Sequence, residues 1–563
     1  MSVDAVNNSN YQAQEAQNYS QNNVNSAQET GAVETQSYSS SSNSGSSGSV
    51  SDDVEMSPAA NNTRRSRVAS LDDMPEEEYY ENTADAAHEA EAAAVAAYDE
   101  METAGETSSK GYERSEETDA LIDDMVGKYA EENGYDLDSK AVQEFRDNII
   151  VLGGTDKADK INVTNSKEGG IDVEVNGKVT HYTAEQAKYL VIDAGKGDDE
   201  VTVADDVTIG MHIAGGEGDD VLKGGAGNDV MYDYYGKTRM VGGAGDDQLV
   251  AHGLSKDGKT VYDNIISGGE GNDYIEGGAG NDLIHGGDGN DVIYGLSGDD
   301  TIYGGEGHDY IDGGKGNDSI DGGNGNDRLV GGEGDDNLLG GAGDDLLIGA
   351  HGVDHMDGGS GADKLVGQKS IDDMLNGPGD EVEERYSVTL PKNLYVEADG
   401  LEAERIYSDL EMLASTENGA KMFSAISVGD GTVTIRTTKA GNQIGWNQNN
   451  DGSMTTAVDY NLAKISLGNK ELPWNERAPI VGLFHELCHS YNALTHTLDT
   501  YYYDAEGNKY DKENRPKDKS TVRGLEYQAV GMEHEHADID QNDPLLTENG
   551  IRDFLGYERR EKY

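Results

Sequence analysis

From Gly268 to Val366 an apolar residue falls at every ninth position without a break: Ile275, Ile284, Ile293, Ile302, Ile311, Ile320, Leu329, Leu338, Leu347, Met356 and Leu365. The units begin at Gly268, Gly277 and so on to Gly358, as in GGEGNDYIE and GGNGNDRLV. The glycines permit tight turns, and the three residues around each apolar position read as a short strand whose middle side chain points inward. One unit cannot bury that side chain; a stack of units can. The pattern therefore predicts a parallel β-roll. Looser units precede it, DYYGKTRMV (233–241) keeps the phase with a degraded turn, and 251–258 breaks it. Elsewhere the periodicity changes. Leu121, Met125 and Tyr129 recur at helical spacing, and Ile171, Val173 and Val175 alternate as in a strand. Residues 432–435 and 457–467 are further strand candidates. ERAPIVGLFHELCHSYNAL (476–494) predicts a buried helix with Pro479 in its first turn.

The sixth position of every unit is aspartate: Asp273, Asp282, Asp291, Asp300, Asp309, Asp318, Asp327, Asp336, Asp345, Asp354 and Asp363, with Asp199, Asp220, Asp229 and Asp247 in the earlier units. A carboxylate at a fixed place beside turn carbonyls is the oxygen-rich donor set that calcium takes, at about six to eight ligands. An unstructured Gly/Asp linker would need no apolar residue at every eighth position of its repeat. The consensus GGxGxDxUx resembles the nonapeptide repeat of RTX proteins. That resemblance implies calcium ions seated between turns on the same edge of the roll, with the metal-free array unfolded by charge repulsion.

Composition agrees. The chain of 563 residues carries a formal charge of −68, 75 glycines and 8 prolines. So many carboxylates must be solvated or neutralised by cations, and they repel nucleic acid and anionic membranes alike. A single cysteine leaves no intramolecular disulfide, and no apolar run reaches transmembrane length. Residues 1–115 are expected to be a disordered, low-complexity region, Ser/Asn/Gln-rich at first, with a helical Ala/Glu stretch over 85–102. The start lacks the basic and apolar parts of a Sec signal peptide. It resembles the polar leaders of type III secretion substrates. Residues 116–190 read as a small α/β capping module, 191–367 as the roll, 368–385 as an acidic linker, and 386–563 as a mixed α/β domain containing Trp446 and Trp474.

Within that last domain the predicted helix contains HELCH. His485 and His489, four apart, share one helix face and can hold one zinc ion through imidazole nitrogens. Glu486 is placed to take a proton from the attacking water. The apolar neighbours Ile480, Val481, Leu483, Phe484 and Leu487 put the motif on a buried helix, where two histidines and a carboxylate need partners. Cys488 is near the same face; a thiol there can contact the metal, and a packed core cysteine is the preferred reading.

VDYNL (458–462), APIVGLFHELCHSY (478–491), LEYQAVG (525–531) and TENGIRDFLGYERREKY (547–563) together resemble the NleD-like type III effector zinc metalloproteases. The resemblance implies an α+β, zincin-like fold and a gluzincin-type site whose third zinc ligand is Glu526. The cluster Glu533, His534, Glu535 and His536 is a rival source of that ligand. Tyr491, Arg523, Tyr527 and Tyr563 are candidates for stabilising the oxyanion. It also implies a protein substrate, with host stress-activated kinases as the family's targets, and passage through a secretion machinery. The expected protein is thus a secreted zinc endopeptidase with a disordered tail and a calcium-folded array, acting outside cells or after delivery into a host cell. The alternative is a calcium-dependent adhesin or matrix protein whose zincin-like module does not cleave.

Overall fold

The computed structural model describes residues 114–384 except 134, 136 and 369–371; 390–462 except 399, 430, 439–441 and 450–452; and 478–494, 502–503, 509–510, 522–523, 547–555 and 557. The N-terminal region to residue 113, with its expected leader and helix, lies outside the described residues.

The described helices are α1 (Glu116–Asn133), α2 (Lys140–Asp147), α3 (Ala184–Ala187), α4 (Gly400–Ser415), α5 (Glu417–Val428), α6 (Pro479–Leu494) and α7 (Glu548–Phe554). Between α2 and α4 the chain winds as a β-roll. Successive strands alternate between two sheets, a first of 12 strands and a second of 13. Each strand of the repeats therefore pairs in parallel with the strand two units on, as in Ile284↔Ile302 and Ile293↔Ile311. The eighth-position side chains from both sheets meet between them, and Ile275 to Leu365 are all at most 1 % exposed. Each adds roughly 1.5–3 kcal/mol of burial only when rungs lie on both sides of it. Turn glycines are required by contact as well as by angle. Gly271 has φ +131°, and a Cβ there would lie 2.0 Å from the carbonyl oxygen of Gly245 on the neighbouring rung.

The roll begins before the glycine repeats and continues past them. Strand Ile150–Thr155 pairs with Leu190–Lys196 in the first sheet, and Lys160–Asn165 with Glu200–Val203 in the second. The segment expected to cap the array thus shares both its sheets. At the other end Asp373–Leu375 and Glu381–Glu384, within the stretch expected as a linker, form the last strand of each sheet. The phase break is absorbed outside the stack. The strand Gln248–Leu254 runs on into a loop closed by a Leu254–Val261 bridge, and the register resumes with Ile265–Glu270.

The two outer faces differ. The second sheet carries Thr301, Tyr303, Ser319, Asp321 and His355 on its outer face, half-buried or exposed. On the first sheet Tyr274, Val292, Tyr294, Tyr310, Val330, Leu346, Ile348 and Val366 are all buried, in one apolar cluster with the C-terminal domain. Helix α1 covers the early strands of that face through Leu121, Ile122, Met125 and Val126, and α4 covers the later ones.

In the C-terminal domain a four-stranded sheet runs in the order Leu394–Glu397, Gly431–Thr437, Met454–Tyr460, Gln443–Gln448, with only the last strand antiparallel. Met454, Thr456, Val458 and Tyr460 alternate inward from the third of these. Helix α6 packs on that strand, on α5 and on α7. It is buried all round apart from Tyr491, as expected of a helix apolar on every side.

Candidate functional site

In the roll, each turn aspartate divides its oxygens between two tasks. From Asp291 to Asp363, Oδ1 accepts the backbone N–H of the aspartate 18 residues earlier. On one edge Asp273, Asp291, Asp309 and Asp327 donate in this way to Asp291, Asp309, Asp327 and Asp345 at 2.8–2.9 Å. On the other, Asp282, Asp300 and Asp318 donate to Asp300, Asp318 and Asp336. Asp354 and Asp363 accept the N–H groups of Asp336 and Asp345 likewise. The second oxygen, Oδ2, of Asp273, Asp282, Asp291, Asp300, Asp309, Asp318, Asp327, Asp336, Asp345 and Asp363 is buried and meets no hydrogen-bond donor among the described residues. Beside it is a carbonyl from the next rung: a Cβ placed on Gly304 would touch Asp309 Oδ2 at 2.4 Å and Gly322 O at 2.5 Å. Buried carboxylate and carbonyl oxygens converging on one space without a donor are a fit for a hard cation. Burial also drives the carboxyls up, Asp300 to about 7, Asp327 and Asp345 to about 8 and Asp318 to about 9. Desolvation disfavours their charged form until a cation compensates it.

Three further carboxylates extend these ladders. Asp159 donates its N–H to Asp199 Oδ1 at one end, while Asp372 and Asp380 accept from Asp354 and Asp363 at the other. The spacing of 18 from Asp354 to Asp372 is the signal that identifies the continuation. Where the phase breaks, Asn264 stands in the ladder, accepting from Thr238 at 2.9 Å. Thr238, the sixth residue of the degraded unit, turns its hydroxyl to Asp233 Oδ2 at 2.8 Å.

In the C-terminal domain the helical spacing does what the motif requires. His485 Nε2 and His489 Nε2 face each other at 3.1 Å with their rings nearly perpendicular. Nitrogens bound tetrahedrally to one zinc would be about 3.3 Å apart. Ligand atoms of His485, Glu486 and His489 all lie within 4.8 Å of one another, and the three residues are buried. The donor set and its spacing thus fit a zinc ion.

A partner absent from the motif orients the first histidine. Glu548 Oε2 lies 2.8 Å from His485 Nδ1, and Arg552 Nε donates to Glu548 Oε1 at 2.7 Å. A carboxylate at Nδ1 selects the tautomer that leaves Nε2 as the lone-pair donor. Glu548 and Arg552 lie in the TENGIRDF stretch, which reads in the sequence only as part of a family resemblance. Cys488 is fully buried, and burial, with the carboxylates of Glu548 and Glu486, pushes its thiol well above the ordinary value. It stays protonated and packed, as a core cysteine. Glu526, the 533–536 cluster, Tyr527 and Tyr563 lie outside the described residues. Tyr491 is on α6, half-buried, and Arg523 is in a short strand with Val522.

The fold and site thus define a parallel β-roll with buried turn carboxylates, joined to an α+β domain whose His485, Glu486 and His489 could hold a metal ion. Residues 394–563 match the Peptidase_M91 family, described as an effector protein. Residues 212–232, 260–293, 294–329 and 330–365 match the RTX calcium-binding nonapeptide repeat. The C-terminal segment is therefore an effector peptidase domain, and calcium-binding repeats precede it. No curated protein matches the chain.

Proposed function

We propose that the protein is a secreted zinc endopeptidase of the NleD-like effector kind, cleaving a host or extracellular protein, and that its roll folds on calcium. The observation that carries this is the pair of Nε2 atoms 3.1 Å apart beside Glu486, with Glu548 fixing the outward nitrogen of His485. His485 and His489 would hold the zinc, with Glu526 as the third ligand carried over from the family resemblance. When bound, zinc supplies Lewis acidity to the scissile carbonyl and to water. Glu486 takes the proton of the attacking water and passes it to the leaving amine. The apolar packing of α6 lowers the local dielectric and so strengthens each charge interaction in this exchange. Host signalling kinases are the substrate class supported by the resemblance. The effector domain and RTX repeats fit export from the producing cell, and no described helix is long and apolar enough to cross a membrane.

The test is a pair of measurements on the full chain. Metal analysis should find one tightly held zinc that His489→Ala removes. Glu486→Gln should retain zinc yet lose cleavage of a proteome-derived peptide mixture by about 10²–10⁴-fold. A folded chain that holds no zinc, or a Glu486→Gln variant of ordinary activity, would end this assignment.

A further inference from the structure

The peptidase domain is seated on the roll, and the contact reaches the metal centre in three steps. The first is Arg328, the seventh residue of the unit GGNGNDRLV, in the strand Arg328–Glu333 of the first sheet. Its neighbours at that position on the second sheet, Ser319 and Asn337, face outward, whereas Arg328 is 8 % exposed. Its Nε donates to the carbonyl oxygen of Leu555, and its guanidinium lies 4.1 Å from the ring centre of Tyr557. Lys364, two rungs on, stands 4.3 Å over the ring of Phe554. Two cations of the roll thus grip the C-terminal end of α7, the end to which a helix dipole draws positive charge.

The second step is α7 itself. It has seven residues, far too few to persist without packing. Its first residue is Glu548 and its fifth is Arg552, the pair that holds His485. The third is Tyr557, whose hydroxyl accepts the N–H of Ala478, the residue before α6. A separate anchor acts on the other side of the domain. Arg405 of α4 lies 3.2 Å over the ring of Tyr294 on the roll and pairs with Asp409, which accepts the hydroxyl of Tyr460 at 2.7 Å. Ser408 donates to Asp312 of the roll at 2.8 Å.

We propose that Arg328 is a positioning residue for the zinc centre: the calcium-folded roll, through Arg328 and α7, sets Glu548 against His485, so calcium tightens zinc binding and switches on cleavage. The inference rests on the proposed zinc-peptidase function and on calcium folding of the roll. Calcium never touches the catalytic centre; it stabilises the platform from which α7 is held. In a chain whose turns lack calcium, the first sheet offers no ordered face, α7 loses its support, and His485 loses its fixed tautomer and direction. Loss of such an outer partner weakens metal affinity by about 10–100-fold.

The experiment uses the full chain and measures zinc affinity by competition with a chromophoric chelator, with and without millimolar calcium. Circular dichroism follows the roll in the same samples, and peptide cleavage is recorded beside both. The wild type should bind zinc about 10–100-fold more tightly with calcium than without. Arg328→Ala should keep the calcium-induced β-signal and lose most of that tightening, and Arg328→Lys should recover part of it, since an ammonium retains the charge without the planar stack. Should Arg328→Ala also lose the β-signal, Arg328→Met keeps the aliphatic bulk on the roll while removing both the donor to Leu555 and the charge over Tyr557. Equal zinc affinity with and without calcium in the wild type overturns the inference while leaving the peptidase standing. So does full tightening in Arg328→Ala or Arg328→Met with the roll folded. Absence of zinc under every condition instead overturns the proposed function.

Discussion

Glu548 offers the sharpest single perturbation of the site. It is 1 % exposed, with one oxygen toward His485 Nδ1 at 2.8 Å and the other toward Arg552 Nε at 2.7 Å. Glu548→Gln preserves the shape and can still present an oxygen to one of these groups. It removes the charge that stabilises both. Two costs follow. A metal-ligating histidine deprived of its carboxylate loses about 10–100-fold in metal affinity, equivalent to about 1.4–2.7 kcal/mol. The fully buried Arg552 guanidinium also loses its carboxylate, and breaking one side of a buried ion pair typically costs about 3–5 kcal/mol of stability. Glu548→Gln should therefore show weaker zinc binding by one to two orders of magnitude and a lowered unfolding midpoint. A double variant, Glu548→Gln with Arg552→Met, should recover stability without recovering zinc affinity, because no arginine is then left buried beside a neutral amide. Chelator competition at fixed pH and chemical denaturation separate the two readouts. Unchanged zinc affinity in a folded Glu548→Gln chain would refute the orienting role, whatever happened to stability.

Two further outcomes concern the roll. With calcium removed it should lack β-signal at neutral pH and gain it cooperatively as calcium rises through roughly 0.1–1 mM; magnesium, with its small octahedral shell, should not replace it, and an identical spectrum in chelator would refute calcium folding. The metal-free roll should become more stable as pH falls: its buried aspartates are raised to about 7–9, so between about pH 4 and pH 9 the folded array holds protons that the unfolded chain has released. Stability in chelator thus declines as pH rises through that window, so acidification toward about pH 4–5 should restore β-signal that is absent at neutral pH, and a β-signal in chelator stronger at pH 8 than at pH 5 would contradict the burial of these carboxylates.

Residues whose environment is set by near neighbours in the chain are legible in the sequence. The seam from Ile275 to Leu365 and the aspartates beside it recur every nine residues because each unit makes the same turn, and local repetition writes the same side chain into the same environment. HELCH is legible for a similar reason: an α-helix places residues four apart on one face, so His485 and His489 must meet if the helix forms. The second, outward-facing apolar pattern is equally present but slower in period. Tyr274, Val292, Tyr310, Val330, Leu346 and Val366 belong to alternate units, since successive strands go to opposite sheets, and a nine-residue comparison averages them with the polar positions of the other face.

What the chain alone determined, then, is every interaction carried by turn geometry or helical pitch: the roll, its seam, its stacked carboxylates and the paired imidazoles. Tertiary structure decided which groups complete those local units. Glu548 reaches His485 across 63 residues, and Arg328 reaches Leu555 across 227. No periodicity encodes such pairs, because the distance between them is set by how α7 packs between α6 and the first sheet. That packing places a carboxylate, an arginine and a rung of the roll in one line with the histidines, although each lies in a different segment of the chain.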